Sequence, residues 1–314
     1  MVVSSSGDSV STPGPTMPAV PTTAVPSTTP TPATRSVPAA TGGDPGSSRL
    51  DPLAKVIWHD LECGSYRADL PLWLQLAARE GDPILDVGAG SGRVALELAD
   101  AGHRVTALDL DPDLLAALRD RSGEAAVETV CADARSFELP CRDYALCLVP
   151  MQTIQLLGDA STRAAFLSQA RAHLRPGGLL ACAIVTELEP FDVADGLPAP
   201  TPETARVGEA LYISQAESVR VLPRRVVIER SRRIVFPASP ASDDGGSALR
   251  VRNSDSVDGP IETPAGERNL IELALLSAGE FEREGSEVGF RPEPALAIEP
   301  TEEHVGSVVV MLRA

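Results

Sequence analysis

The sequence predicts an α/β fold, a mostly parallel seven-stranded sheet with helices on both faces, and three observations carry that prediction. Short apolar runs alternate with stretches of helical spacing from residue 83 onward. Three successive runs end in an acid, at Asp86, Asp109 and Asp133. Between the first run and its helix lies Gly88-Ala89-Gly90-Ser91-Gly92, with glycine at alternate positions.

Ahead of the first strand, Leu53, Val56, Ile57 and Leu61, then Leu70, Leu72, Trp73 and Leu76, recur at helical intervals, with Asp51 and Asp69 placed as N-caps. Two helices therefore precede the sheet, joined by a polar link at 62–67. Strand one spans 83–87, and the glycine loop leads into a helix at 94–99. Strand two is 104–109; Pro112 opens the next helix, with Asp111 as its N-cap. Strand three is 127–132 and strand four 144–149. A helix at 162–174 stops at Arg175-Pro176-Gly177-Gly178, and strand five follows at 179–186. Residues 187–203 read as an exposed loop, and 210–221 with 226–236 as the arms of an inserted antiparallel ribbon turning at Pro223-Arg224. A further loop is expected at 243–264. Leu270 to Leu276 reads as a helix closed by Gly279, with the last two strands at 281–290 and 305–312.

Composition bounds the function. The chain of 314 residues, 43% hydrophobic, is long enough for one large domain or two small ones. Its formal net charge of -17 and pI near 4.7 oppose binding to phosphate backbones or anionic lipid and favour a small-molecule partner. Five cysteines show neither CxxC pairs nor metal spacing with histidine, so no metal is expected and they read as reduced core thiols of a cytoplasmic protein. No apolar run reaches the ~18 residues of a membrane span, and the N-terminus lacks the basic and apolar regions of a secretory signal. Residues 1–48 are Ser, Thr, Pro, Ala and Gly with hardly any large apolar side chain, the composition of a disordered tail. The folded domain is then 49–314: a core at 83–187, an insert at about 188–266, and the last helix and strands at 267–314.

Glycines between strand and helix permit dihedrals closed to other residues and let a ligand approach the main chain where the new helix leaves N–H groups unpaired. The dinucleotide fingerprint GxGxxG requires glycine where this chain has Arg93, which disfavours NAD. Asp86-Val87-Gly88-Ala89-Gly90-Ser91-Gly92 instead resembles motif I of the class I methyltransferases that use S-adenosylmethionine. The resemblance covers 51–314, is strongest over 84–134 and 175–187, and implies a Rossmann-like sheet whose final strand is antiparallel.

That resemblance also implies roles. The backbone of Gly88, Ala89, Gly90 and Gly92 would hold the cofactor, with Asp86 near its ammonium. Asp109 lies 21 residues past Gly88, close to the ~20 at which nucleoside-binding folds place the carboxylate for the ribose diol. Leu110 would pack beside the adenine, Asp133 would accept from its amino group and the Ala134 N–H would reach the ring. Tyr66 matches a tyrosine that closes the site in many small-molecule members, with Arg67 beside it; simple packing on the core is the alternative. Pro150 borders the cofactor. Met151, Gln152 and Gln155 face the transferable methyl, the two glutamines bonding acceptor or cofactor or merely satisfying loop backbone.

The implied activity is methyl transfer to a small-molecule oxygen or nitrogen. The NPPY-type signature of enzymes that methylate base or glutamine amides is absent, which argues against DNA bases and translation factors as acceptors. None of His59, His103, His173 and His304 falls in a motif; all four are expected to be structural or exposed, and no catalytic base is assigned. The ribbon after strand five builds an acceptor pocket, an oligomer contact or a shield for the sheet edge. Rival readings are a cofactor-binding module of the same fold without turnover, a nucleotide-dependent oxidoreductase, and a methyltransferase with a protein acceptor.

Overall fold

Strands buried on both faces read as near-continuous apolar runs, and such runs form the middle of the main sheet. They are β1 (Ile84–Val87), β2 (Val105–Asp109), β3 (Val127–Cys131), β4 (Tyr144–Val149) and β5 (Leu174–Ile184). The computed structural model describes residues 52–123, 127–196, 199–237, 249–251, 267–301 and 304–314. The expected N-terminal tail and the Asp51 cap lie outside the described residues, as does the loop at 243–264 apart from 249–251.

Before β1 run α1 (Pro52–His59), a π-helical turn (Asp60–Gly64) that continues it, and α2 (Leu70–Glu80). Between the strands stand α3 (Arg93–Asp100), α4 (Pro112–Ser122), α5 (Thr153–Leu156) and α6 (Ala160–His173). The insert supplies β6 (Phe191–Asp192), β7 (Glu203–Val207), β8 (Ala210–Leu222), β9 (Arg225–Pro237), β10 (Leu249–Val251) and β11 (Glu267–Ala274), before α7 (Ala278–Val288), β12 (Arg291–Ile298) and β13 (Ser307–Arg313).

The main sheet has the order β12-β13-β5-β4-β1-β2-β3. Strands β1 to β5 are parallel and β13 is antiparallel to both neighbours, as the resemblance implied. Side-chain alternation divides the core between the two faces. Ile84, Ala107, Leu148 and Met311 pack on one face with Trp73, Leu98 and Leu118 of α2, α3 and α4. Leu85, Leu108, Cys147 and Val310 pack on the other with Phe166 and Phe281 of α6 and α7. Strand order reverses between β1 and β4, and ligands of open α/β sheets bind in the crevice beyond the strand ends at such a point.

The structure corrects several expectations. The ribbon arms are β8 and β9, but they belong to a six-stranded antiparallel sheet, with β7 against β8 and β11 against β9. Residues 270–276, expected as a helix, lie largely in β11: Leu273 is buried while Leu270 is exposed, and Leu270 to Ala274 pair with Glu229 to Arg225. A short apolar run suits either structure, and the open edge of β9 selects the strand. The helix starts later, at a capping box in which Ser277 Oγ accepts from Glu280 N while Glu280 accepts from Ser277 N. Residues 281–288 are therefore helix rather than strand, closed by Gly289 at φ 98° rather than by Gly279, and the last two strands shift to β12 and β13. Asp69 is no side-chain cap either, and of the cysteines read as core thiols only Cys147 and Cys182 are buried, Cys131 being exposed. No helix among the described residues is long and apolar enough to cross a membrane.

Ser277→Ala removes one side of the capping box and should lower stability by about 1 kcal/mol, read as a shift of the urea midpoint at unchanged slope.

Candidate active site

The glycine loop turns at the carboxyl end of β1. Gly88 N donates to Leu108 O at 2.8 Å and Gly90 N to Asp109 Oδ2 at 2.8 Å, so the loop folds over the tip of β2. The other oxygen of Asp109 accepts from Asp111 N at 2.9 Å. Each oxygen keeps a lone pair beyond the one backbone bond it accepts. Cys131 stands opposite Asp109 in register, and Ala132 N donates to Asp109 O at 3.0 Å, which brings the tip of β3 alongside. Asp86, Asp109 and Asp133 thus occupy neighbouring strand ends at one edge of the sheet.

Their environments differ sharply. Asp86 is completely buried and neither carboxyl oxygen has a hydrogen-bond partner. Burial, with Asp109 and Asp69 adding repulsion, pushes its pKa up to about 7; the Arg93 guanidinium and the Ala95 N–H oppose the rise without forming a hydrogen bond. Asp133 is gripped by the Arg135 guanidinium, at 2.8 and 3.0 Å from Nε, which holds it at about 2. Leu110 is 68% exposed, an apolar flank beside these acids. Ala134 is half-buried against the core beneath. Asp111 caps α4, accepting from the N–H groups of Asp113 and Leu114 as expected.

The departure from the dinucleotide pattern has a structural use. Arg93 forms a two-pronged ion pair with Asp69 at 2.6 and 2.8 Å and donates to Tyr66 O at 2.8 Å. Asp69 also accepts from Trp73 Nε1. These bonds take the carboxylate that was expected to cap α2 and tie α2 to the loop.

Tyr66 lies under this guanidinium, edge-on to His304 with ring centres 4.8 Å apart, in one apolar cluster with Ala89 and Met151; its buried hydroxyl has no partner. Arg67, its expected companion, turns away into an exposed pair with Glu97. Pro150 ends β4 in a buried position, and Met151 beyond it adopts φ 54°, a left-handed conformation sparsely populated by side chains of this size. Gln152 makes no side-chain hydrogen bond among the described residues. Gln155 does not face an acceptor: its amide donates to Val185 O and Ala274 O and accepts from Val185 N, so it joins β5 to β11.

Two neighbours of the loop escaped the sequence reading. A Cβ on Gly88 would lie 2.4 Å from Thr153 Cγ2, and one on Gly90 would lie 2.4 Å from the His59 ring. His59 Nδ1 is 3.1 Å from Ser91 Oγ, whose proton is directed at Asp60 Oδ1, 2.5 Å away. Against the cost of burial, the neighbouring His59 ring and bonds from Arg121 and Ser91 hold Asp60 at about 2. His59 is thus part of the loop's wall, whereas His173 is buried structure, accepting from Leu139 N. No local pattern announces His59, because its place depends on α1 folding back over a loop thirty residues on.

A cavity of about 890 Å³ lies elsewhere, between the heads of α6 and α7 and the tip of the β8–β9 hairpin.

Comparison with known proteins agrees with this geometry. Residues 84–178 match a family model described as a methyltransferase domain. That stretch is similar to methyltransferase domains. Over 62 residues the chain is 45% identical to an uncharacterized protein of Mycobacterium tuberculosis, covering 20% of this chain and 23% of that one. It is 30% identical over 146 residues to a ubiquinone biosynthesis O-methyltransferase of a Methylobacterium species, 44% of this chain and 53% of the relative. The chain thus spans about a quarter to a half of the length of these relatives. The sugar N-methyltransferase KedS8 of a Streptoalloteichus species superimposes with TM-score 0.57 at 15% identity, over 87% of this chain and 97% of that one. CalS10, an amino pentose methyltransferase of Micromonospora echinaspora solved with S-adenosylmethionine bound, gives TM-score 0.55 at 17% identity, over 83% and 97%. At such identities the likeness is one of fold.

Gly90→Ala places a methyl against the His59 ring at φ 55°. The domain should lose about 1–2 kcal/mol from the backbone alone, and His59→Ala in the same chain should return part of the remainder, a non-additivity measurable by urea denaturation of the wild type and the three variants.

Proposed function

We propose that the chain transfers a methyl group from S-adenosylmethionine to a small-molecule acceptor. The single observation carrying this reading is Asp86, a fully buried carboxylate with both oxygens unpaired beside a glycine loop at the strand-order reversal. Buried charges are normally paired, and nothing in the fold pairs this one. An ammonium group of a ligand would do so.

The surrounding residues fit the rest of that cofactor. The spare lone pairs of Asp109 suit a ribose diol, the exposed Leu110 side chain suits the face of a purine, and Asp133 with Ala134 stands where the purine's polar edge would lie. Tyr66 supplies an unpaired hydroxyl, and the glycine loop offers its backbone beside Thr153 and His59. Bound there, the cofactor supplies a methyl group on positively charged sulfur, already activated for transfer. The protein's share is to align the acceptor and exclude water, which accounts for about 7–11 kcal/mol of barrier lowering in well-oriented systems. Met151 and Gln152, just beyond β4, are placed to meet the acceptor.

A small acceptor is favoured by the chain's net charge of -17, which opposes binding to a phosphate backbone, and by a relative named for ubiquinone biosynthesis; two other relatives are named as rRNA adenine N-6-methyltransferases. Radiolabelled methyl transfer from S-adenosylmethionine to a panel of amines and hydroxyl compounds tests turnover; cofactor binding without transfer to any of them would favour a module without activity.

Calorimetry with S-adenosylhomocysteine tests the site. Asp86 is protonated in the free site below about pH 7 and must ionise to pair with an ammonium. Binding therefore takes up the ionised form and releases a proton below that pH, so affinity should climb from about pH 5 to about pH 7 and level off above. Asp86→Asn should flatten the profile and weaken binding about 10- to 100-fold at the plateau; a flat wild-type profile would count against the assignment. Asp109→Ala should cost about 1–3 kcal/mol of affinity, and unchanged binding would place the ribose elsewhere.

A further inference from the structure

The segment formed by α1 and its π-helical turn touches two parts of the molecule with opposite sides. One side meets the cofactor loop and α4. Lys55 Nζ pairs with Asp111 at 3.0 Å and Asp113 at 2.6 Å, His59 lies on Gly90, and Asp60 holds Ser91 and Arg121. The other side meets the inserted sheet. Glu62 accepts from Ser214 Oγ of β8 at 2.7 Å and from Arg232 of β9 at 2.8 and 2.7 Å, while Trp58 packs edge-on to Tyr212 with ring centres 5.0 Å apart.

The backbone geometry makes this double contact possible. A π-helix is wider than an α-helix, is rare, and concentrates at functional positions. Here it directs Asp60 to the loop and Glu62, two residues on, to the sheet. Both contacts are strongly directional. The Glu62 and Arg232 side chains are 8% and 12% exposed, and despite the cost of burial Arg232, Ser214 and Arg230 hold Glu62 below the usual carboxylate range. Trp58 Nε1, by contrast, is buried between segment and sheet with no acceptor. An unpaired buried donor is a penalty carried by this arrangement.

We propose that the segment couples the glycine loop to the inserted sheet: a cofactor seated against the loop fixes α1 and the π-helical turn, and through Glu62 fixes the inserted sheet. Glu62 is then a positioning residue that acts through Ser214 and Arg232. The inference rests on the cofactor reading above, and extends it to the inserted sheet. Coupling between sites is reciprocal, so the sheet arrangement that the cofactor favours is the one that binds the cofactor more tightly.

Hydrogen–deuterium exchange of the full chain, with and without saturating S-adenosylhomocysteine, tests this. In the wild type, amides of 211–216 and 228–235 should slow roughly fivefold or more on ligand addition. In Glu62→Gln that ligand-dependent slowing should vanish, and affinity for S-adenosylhomocysteine should fall by a similar factor. If Glu62→Gln fails to fold by circular dichroism, Ser214→Ala, which removes the bond to Glu62 and the one from Arg230 but leaves the Glu62–Arg232 ion pair, should show the same changes in smaller degree. Ligand binding with no slowing in these strands, or slowing that survives in the variant, overturns the coupling and leaves the cofactor reading standing. Absence of ligand binding by calorimetry overturns both.

Discussion

A carboxylate with no exposure and no partner is the constraint on which the rest of this molecule turns. Asp86 sits third in a four-residue strand whose neighbours on both sides are buried, pairing in register with Ala107 and Leu148. The strand cannot shift by one residue without sending Leu85 and Val87 to the wrong core face, so the acid's position is fixed by packing rather than by any bond of its own. The fold therefore carries an unfavourable group at the point where strand order reverses. Because Asp86 has a raised pKa, unfolding releases its proton between about pH 4 and about pH 7 and stability declines over that window, the opposite of a salt-bridged acid. Such a cost persists where something outside the fold compensates it.

The loop above Asp86 is crowded rather than empty. Thr153 and His59 approach Gly88 and Gly90 so closely that neither position has room for a Cβ. Glycine is required there twice over, by positive φ and by contact. The contacts come from different parts of the chain, Thr153 from the helix after β4 and His59 from the helix before β1, so the loop is enclosed by elements on both sides of the sheet's central strand. Arg93 completes the enclosure from beneath by binding Asp69 and Tyr66. A residue that excludes one ligand family on sequence grounds turns out to be the pin between loop and α2.

The sheet and its acids were legible because their signals are local. An apolar run, an acid and a glycine are adjacent residues, and Asp111-Pro112 announces a helix start in two letters. The back third was less legible. Leu270 to Leu276 satisfies both helical and strand spacing, and only the unpaired edge of β9 decides between them. The Ser277-to-Glu280 capping box was visible in the sequence and would have shifted α7, β12 and β13 into place. Gln155 and His59 belong to another class: one is spent on two backbone segments brought together by the insert, the other is defined by a helix folding back on a distant loop. No spacing within the chain encodes either, since both are products of tertiary structure.

The same distinction separates the glycine-loop crevice from the cavity between α6, α7 and the β8–β9 hairpin. That cavity measures about 890 Å³. Its charges, however, are substantially matched within the protein: Arg163 with Glu284, Arg225 with Glu272, and Glu280 with the Ser277 cap. A matched lining has no electrostatic need of a ligand, and each pair would have to be broken before its members could bind one. Around the glycine loop the position is reversed, with Asp86 and the Tyr66 hydroxyl unpaired and Asp109 only half used. Unsatisfied chemistry at buried positions, rather than size, is what makes that edge of the sheet the place where a small charged molecule gains most by binding.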